Sequence, residues 1–183
     1  MELKFDCVIG IDPGKQGGIA EYRKGQVKVM KMPRELEDIR KYLKYIKSIS
    51  KNPIVFLEKV QLRCDDVHGN PGKAFRIEQL LSDSQKLKDY IYVEGIPYCL
   101  VHPLSWQHFL KLVKKGEEKK ERKNRYKEAA AHYYPGIKPT LWNADALLIM
   151  HFGRLKIANE PEWLTSNLPS SVLNTLDFQN DVK

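Results

Sequence analysis

The sequence predicts an α/β domain with a mixed sheet, and three observations support this prediction. Apolar runs alternate with stretches of helical periodicity, the first three runs are separated only by short turn signals, and no repeat or long linker divides the 183 residues. Closely spaced strands form an antiparallel meander, whereas strands separated by helices pair in parallel. A chain of this length suits one domain with one sizeable core.

The N-terminal part is predicted to form a three-stranded meander followed by a helix. The predicted strands cover residues 5–11, 18–23 and 26–32. The pair Lys24-Gly25 is the turn signal between the second and third strands. Residues 34–50 carry apolar side chains at helical spacing and therefore predict the first helix.

The rest of the chain is predicted to add two strands and four helices. In chain order these are a strand at 53–57, a helix at 74–94, a strand at 98–101, a helix at 105–113, a helix through 129–131 and a helix from about 143. Ser105 is the candidate N-cap of its helix. Residues 61–73 are rich in turn formers and predict an exposed loop, and the highly charged residues 114–125 predict a segment that is flexible near Gly116.

Periodicity fades towards the C-terminus. Residues after Asn159 show little helical or strand pattern. We therefore expect a folded domain over residues 1–158 and a loosely attached C-terminal tail over residues 159–183.

Charge and cysteine usage constrain the partners and the compartment. The net charge is +8 and the pI is near 9.3, which favours a polyanionic partner. No stretch approaches the ~20 apolar residues that a membrane span needs, and residues 1–4 lack the pattern of a signal peptide. The three cysteines are too scattered for a zinc or disulfide pattern. These features predict a cytoplasmic protein that does not enter the membrane.

Three acids occur where an unpaired carboxylate is costly. Asp12 ends the first strand, Glu58 ends the fourth, and Asp145 lies within an apolar helix. If the first and fourth strands are parallel neighbours, the acids meet at one edge of the sheet, where shared divalent metal relieves their repulsion. Two Mg²⁺ or Mn²⁺ ions about 4 Å apart can hydrolyse a phosphodiester. Taken singly, each acid is more simply explained as a cap or a buried ion pair.

Four segments of the sequence resemble the RuvC family of Holliday junction resolvases. Three of them contain the acids, namely Ile9–Gly14, Phe56–Val60 and Ala144–Ile149. The fourth, residues 95–106, resembles the corresponding part of the phage-type branch of that family. The similarity extends over residues 5–155 without a change of order, and the ordered set is more specific than any single motif.

This resemblance implies an RNase H-like fold with a five-stranded mixed sheet, three strands antiparallel and two parallel, flanked by helices. It implies a homodimeric endonuclease that resolves four-way DNA junctions by symmetric, metal-dependent hydrolysis. Asp12, Glu58 and Asp145 would hold two Mg²⁺ ions, for which Mn²⁺ would substitute, and Lys123 would be the catalytic basic residue. The helix at 74–94 would form the dimer interface.

The sequence also departs from the family pattern. The family's fourth metal ligand falls at Leu141 or Trp142, neither of which can bind metal. Asn143 and His151 are the candidate substitutes. A junction-stacking phenylalanine of the bacterial enzymes is replaced by Gln61.

Basic residues near the acids and in the charged segment are candidate DNA contacts. They are Lys15, Lys59, Arg63, Lys73, Lys114, Lys115, Lys119, Lys120, Arg122, Lys123 and Arg125. Such residues bind phosphates in a salt-dependent manner. The alternative is a solvated helix face whose Glu–Lys pairs contribute ~0.3–0.5 kcal/mol each. Trp142 is a candidate for base stacking, whereas Trp106 is expected to pack in the core.

Two alternatives to a nuclease remain open at the level of sequence. The missing fourth ligand allows a junction-binding protein of the same fold with weak or lost cleavage. An aspartate followed by a Gly-rich hairpin also occurs in actin-like sugar kinases and ATPases. That architecture repeats its core, and this chain holds no second copy.

Overall fold

The computed structural model describes residues 4–60 and 71–169, which form five strands and six helices. The strands are β1 (Cys7–Asp12), β2 (Gly18–Arg23), β3 (Gln26–Lys31), β4 (Pro53–Glu58) and β5 (Tyr98–Val101). The helices are α1 (Leu36–Ile49), α2 (Pro71–Val93), α3 (Pro103–Phe109), α4 (Lys119–Tyr133), α5 (Ala144–Asn159) and α6 (Pro161–Asn167). No helix in the described ranges is long and apolar enough to cross a membrane.

The strands form one mixed sheet in the order β3-β2-β1-β4-β5. The β1–β2 and β2–β3 pairs are antiparallel, and the β1–β4 and β4–β5 pairs are parallel. The predicted α/β class and the predicted sheet of three antiparallel and two parallel strands are therefore confirmed. In the central parallel pair, Ile11 is opposite Leu57.

Helices cover both faces of the sheet, and the alternation of side chains along β1 shows how. Val8 belongs to the apolar cluster that contains most of α5, whereas Ile9 and Ile11 belong to the cluster formed with α1 and the C-terminal half of α2. Because the central strands are buried on both faces, they are apolar along nearly their whole length. Their first polar side chains are the acids at their ends.

Gly10 sets the distance between α5 and the sheet. A Cβ at this position would lie 2.4 Å from both the Ala146 carbonyl oxygen and the Met150 backbone nitrogen. Only a glycine therefore lets the helix backbone rest directly on β1. This contact fixes the N-terminal turn of α5, which contains Asp145, over the end of β1.

Two predicted helix starts were wrong. The helix after β4 begins at Pro71, inside the predicted loop 61–73, whose residues 61–70 lie outside the described ranges. The next helix begins at Pro103 and not at Ser105, because the His102 imidazole caps it by accepting a hydrogen bond from the Leu104 backbone nitrogen at 3.2 Å. Pro103 suits the first helical position, where no N–H partner is needed.

The charged segment is also more ordered than predicted. Helix α4 starts at Lys119, so residues 119–125 are helical, and the turn at Gly116 precedes the helix. The Glu121 side chain accepts a hydrogen bond from the Glu118 backbone nitrogen at 3.3 Å and so caps the first turn. Capping starts this helix where apolar periodicity is absent.

The segment after Asn159 is packed and not loosely attached as far as it is described. Helix α6 buries Leu164 to 1% exposure, and Leu168 after it is buried as well. Trp163 packs edge-on against Phe152 of α5 with ring centroids 5.5 Å apart. Residues 161–168 therefore pack on the domain, and residues 170–183, the greater part of the expected tail, lie outside the described ranges.

We predict that Gly10→Ala destabilises the fold by about 1–3 kcal/mol, because the added methyl group forces α5 away from β1. Thermal unfolding monitored by circular dichroism checks this. Gly136→Ala is the matched control, since a Cβ at Gly136 would meet nothing within 4 Å. Equal melting temperatures for the two variants would contradict the role assigned to the contact at Gly10.

Candidate active site

Asp12 is positioned by the turn that follows β1. The Gly14 backbone nitrogen donates a hydrogen bond to Asp12 Oδ1 at 3.2 Å. The carboxyl group lies against Gly17, where a Cβ would come within 2.7 Å of Asp12 Cγ. The glycines after Asp12 therefore make room for its side chain at the sheet edge.

Glu58 stands beside Asp12 because β4 runs parallel to β1. Each acid lies one residue beyond the Ile11–Leu57 pair, so both side chains emerge at the carboxyl edge of the two central strands. Trp106 Nε1 donates a hydrogen bond to Glu58 Oε1 at 2.9 Å. This bond joins the end of β4 to α3, 48 residues further along the chain.

Asp145 reaches the same edge from α5. It immediately precedes Ala146, whose carbonyl oxygen lies over Gly10. Lys123 Nζ of α4 lies 2.5 Å from Asp145 Oδ2. The other oxygen, Asp145 Oδ1, is buried and has no hydrogen-bond partner. A buried carboxylate oxygen without a partner is costly, which marks this position as one suited to a cation.

The pKa values show that the acids act on one another. Burial raises the pKa of Asp12 to about 6, and the nearby Asp145 carboxylate contributes to the rise. Burial also raises the pKa of Glu58 to about 8, with Asp12 as the next largest cause and Asp145 as a smaller one. Lys123 lowers both values but does not compensate for burial and repulsion. The three acids are therefore near enough to influence one another's ionisation, and Lys123 does not supply enough positive charge to offset this.

The three acids are oxygen donors, the type of ligand that a hard divalent cation takes. One oxygen of each carboxylate is held by a protein donor, namely Gly14 N, Trp106 Nε1 or Lys123 Nζ. Within residues 4–60 and 71–169, no group of three or more Asp, Glu, His or Cys side chains is placed so that it could hold a metal ion without rearrangement. In the structure, the Lys123 ammonium group supplies positive charge next to Asp145. Oxygen-only ligands of this kind suit Mg²⁺ or Mn²⁺.

Neither candidate for a fourth ligand is available. Asn143 Oδ1 accepts a hydrogen bond from the Thr140 backbone nitrogen at 2.6 Å, and its Nδ2 donates to the Lys138 carbonyl at 3.2 Å. The amide thus closes the turn before α5. His151 stacks on a tyrosine ring with centroids 3.9 Å apart, and its Nδ1 is hydrogen-bonded to the hydroxyl of the next tyrosine. Burial lowers the pKa of His151 to about 4, and the ring lies about 9 Å along the helix from Asp145.

Most of the predicted DNA-binding cations in the described ranges are exposed. These are Lys15, Lys59, Lys114, Lys115, Lys119, Lys120 and Arg122. Arg125 differs from them, because it pairs with Glu117 and donates to the Leu112 carbonyl at 2.6 Å, which ties α4 to the loop before it. Arg63 lies outside the described residues, as does the side chain of Lys73.

A cavity of about 840 Å³ opens beside the turn that follows Asp12. Lys15 lines it together with Lys31 and Arg34 from the connection between β3 and α1. None of these three cations forms an ion pair with a described residue. Lys31 and Arg34 were not identified from the sequence, because isolated basic residues in a strand end and a loop carry no pattern.

Trp106 is the site residue that sequence reasoning missed in part. Its ring is fully buried, as the sequence predicted. Its hydrogen bond to Glu58 was not predicted, because no spacing rule relates residues that meet across strands and helices. Trp142 is half-buried, and its ring lies over Gly18, so its part in base stacking stays a prediction.

Comparison with known proteins agrees with the fold. No protein-family model matches the chain, and no curated protein is detectably similar in sequence. Among solved structures, Thermus thermophilus RuvC in complex with a Holliday junction substrate is similar, with a TM-score of 0.53 and 15% identity over 84% of this chain and 96% of that chain. Another T. thermophilus RuvC structure gives a TM-score of 0.52 and 18% identity, covering 83% and 95% of the two chains. With its five-stranded mixed sheet, this chain has the RuvC, RNase H-like fold.

The raised carboxyl pKa values predict how stability depends on pH without metal. The folded protein binds the protons of the Asp12 and Glu58 carboxyl groups more tightly than the unfolded chain does. Protonation of these groups therefore favours folding fully below pH ~4, and this favourable contribution is lost as the pH rises through about 8. In EDTA, Glu58→Gln should therefore stabilise the protein by at least about 1 kcal/mol at pH 8.5 and much less at pH 5. Chemical unfolding at the two pH values measures this, with exposed Glu162→Gln as the control. An equal effect of Glu58→Gln on stability at both pH values would contradict the raised pKa of Glu58.

Proposed function

We propose that this protein is a divalent-metal-dependent endodeoxyribonuclease that resolves four-way junctions and related branched DNA. The observation that carries the proposal is the meeting of Asp12, Glu58 and Asp145 from three separate elements at the carboxyl edge of the central strands. The similarity in fold to a RuvC bound to its junction substrate supports it. The resemblance of residues 95–106 to the phage-type branch remains a prediction from sequence.

Asp12, Glu58 and Asp145 would hold the metal, which we propose to be two Mg²⁺ ions that Mn²⁺ can replace. When bound, such ions supply a hydroxide nucleophile at neutral pH and neutralise charge at the phosphate. The chain itself holds the three carboxylates in place through Gly14, Trp106 and Lys123. Because the site lies at a sheet edge, a DNA backbone can approach it from outside.

Lys123 has two uses in this proposal. Without metal, its ammonium group neutralises Asp145. Its side chain is 29% exposed and belongs to a helix whose first turn is highly basic, so it lies between the acids and the expected path of the DNA. With divalent ions held by the acids, the ammonium group of Lys123 would be available to stabilise negative charge on the scissile phosphate.

We propose that DNA is held by the basic surface around the start of α4. Lys114, Lys115, Lys119, Lys120 and Arg122 are exposed there and precede Lys123 along the chain. Lys15 and Lys59, which follow or flank the acids, extend this surface along the sheet edge. DNA processing of this kind is consistent with the cytoplasmic location expected from the sequence.

We propose a homodimer formed through the first half of α2. None of the described side chains between Gly72 and Asp83 is buried, whereas Ser84, Leu87 and Ile91 in the second half are. Phe75 is 66% exposed in this segment. A two-fold dimer would bury this surface and place two sites for symmetric cuts in opposed strands.

A second candidate is a junction-binding protein of the same fold with weak or lost cleavage. The observation that favours it is the engagement of both candidates for the fourth ligand, since Asn143 closes a turn and His151 packs against tyrosines. Binding of DNA would then depend on the basic surface alone. Cleavage assays separate the two functions.

We predict that Asp145→Asn lowers nicking of a mobile four-way junction by about 10³-fold or more, because metal charge stabilisation is worth several kcal/mol. Junction affinity should stay within a few-fold, since it comes from the basic surface. The assay is denaturing gel analysis of end-labelled junction with Mg²⁺. The control is Asp38→Asn, at a surface aspartate of α1 that pairs with Lys41. Normal cutting by Asp145→Asn would refute the site, and binding without cutting by the wild type would favour the second candidate.

We also predict that replacing Lys119, Lys120 and Arg122 together by Gln weakens junction binding and reduces the slope of log K against log salt by about 2–3. Fluorescence anisotropy at several salt concentrations measures the slope. The matched control replaces Lys44, Lys47 and Lys51, which lie at the end of α1 near the opposite edge of the sheet. Equal slopes in the two triple variants would show that DNA does not contact the start of α4.

A further inference from the structure

We propose that Trp106 is a positioning residue that fixes Glu58 for metal binding. Its indole N–H holds Glu58 Oε1 at 2.9 Å and so leaves Oε2 for a divalent cation. This inference rests on the proposed function only in supposing that the acids hold a cation. It concerns a residue that touches neither metal nor DNA and acts through the carboxylate.

The indole ring is fixed independently of Glu58. Trp106 has 0% exposure, and Tyr126 of α4, 2% exposed, packs against it edge-on with centroids 5.2 Å apart. The backbone is fixed as well, because α3 starts at Pro103, two residues after β5 ends, with His102 as its cap. The packing thus fixes the position of the indole nitrogen. The position of Glu58 Oε1 follows from the hydrogen bond that it accepts from this nitrogen.

A neutral donor suits this position better than a charged one. The indole N–H can only donate, does not titrate near neutral pH, and brings no positive charge. It therefore orients Glu58 without competing with a cation for the carboxylate's charge. Lys123 on Asp145 is the opposite case, since its ammonium group pairs with the carboxylate and would compete with a cation for its charge.

The bond could instead serve only the tryptophan. A buried indole N–H usually finds an acceptor, and Glu58 would then be that acceptor with no consequence for metal. The two roles give different results. A purely structural bond affects stability when it is removed, whereas a positioning bond also affects the affinity of the site for metal. Hydrogen-bond partners of metal ligands typically change metal affinity by about 10–100-fold.

The test is Mn²⁺ binding, measured by electron paramagnetic resonance without DNA, in the wild type, Trp106→Phe and Trp163→Phe. Trp163→Phe is the matched control. Trp163 of α6 packs on Phe152 of α5, whereas the described indole hydrogen bond to one of the three acids comes from Trp106. We expect Trp106→Phe to bind Mn²⁺ about 10–100-fold more weakly and Trp163→Phe to bind as the wild type does. A folded Trp106→Phe with unchanged Mn²⁺ affinity would overturn the proposal.

If Trp106→Phe does not fold, the wild type itself gives the answer. The indole N–H proton of Trp106 should exchange slowly with solvent. Its nitrogen-15 NMR signal should shift on titration with Mg²⁺, while the Trp163 signal should not. A Trp106 resonance that does not move as Mg²⁺ saturates the site would overturn the proposal. A wild type that binds Mn²⁺ but cuts no junction would refute the nuclease and leave the role of Trp106 standing, and a wild type that binds no Mn²⁺ would refute both.

Discussion

The contact between Gly10 and α5 is the constraint on which the site depends. Because no side chain separates them, the helix backbone lies on β1, and its second residue, Asp145, comes to the end of that strand. The β1–β4 pairing brings Glu58 to the same edge. A site assembled in this way needs no loop of its own, since a strand pair and one helix position all three acids.

The arrangement has an electrostatic cost that the protein only partly offsets. The pKa values of Asp12 and Glu58 stay raised, and Asp145 Oδ1 stays without a partner. An acid cluster of this kind would be expected to disappear from a protein selected for stability alone. Elsewhere the chain pairs a buried acid fully, as at Glu21, which is 5% exposed and accepts hydrogen bonds from Arg23 Nε at 3.2 Å and from the Tyr42 hydroxyl at 3.3 Å. The contrast supports a functional origin for the unsatisfied cluster.

The parts of the fold that were predictable from sequence are those with a local signal. The central strands are apolar runs that end in acids, so both strands and two site residues could be predicted. The start of α3 was missed because His102 is an unusual cap, and the start of α4 because a charged capping turn carries no apolar period. The bond from Trp106 to Glu58 spans 48 residues and was beyond any local rule. Long-range side-chain pairs of this kind decide how a site is tuned, and only coordinates show them.

The missing fourth ligand bears on how such a site would bind its ions. Three carboxylates do not fully neutralise two divalent cations, and Asn143 cannot turn towards them without opening the turn that it closes through Thr140 and Lys138. Under the proposed function, phosphate oxygens of the DNA then supply the remaining negative charge. Metal and DNA binding would therefore be coupled, since each favours the other by linkage. In this account the acids bind a first ion without DNA, and the absence of a fourth ligand makes the second ion depend on the substrate.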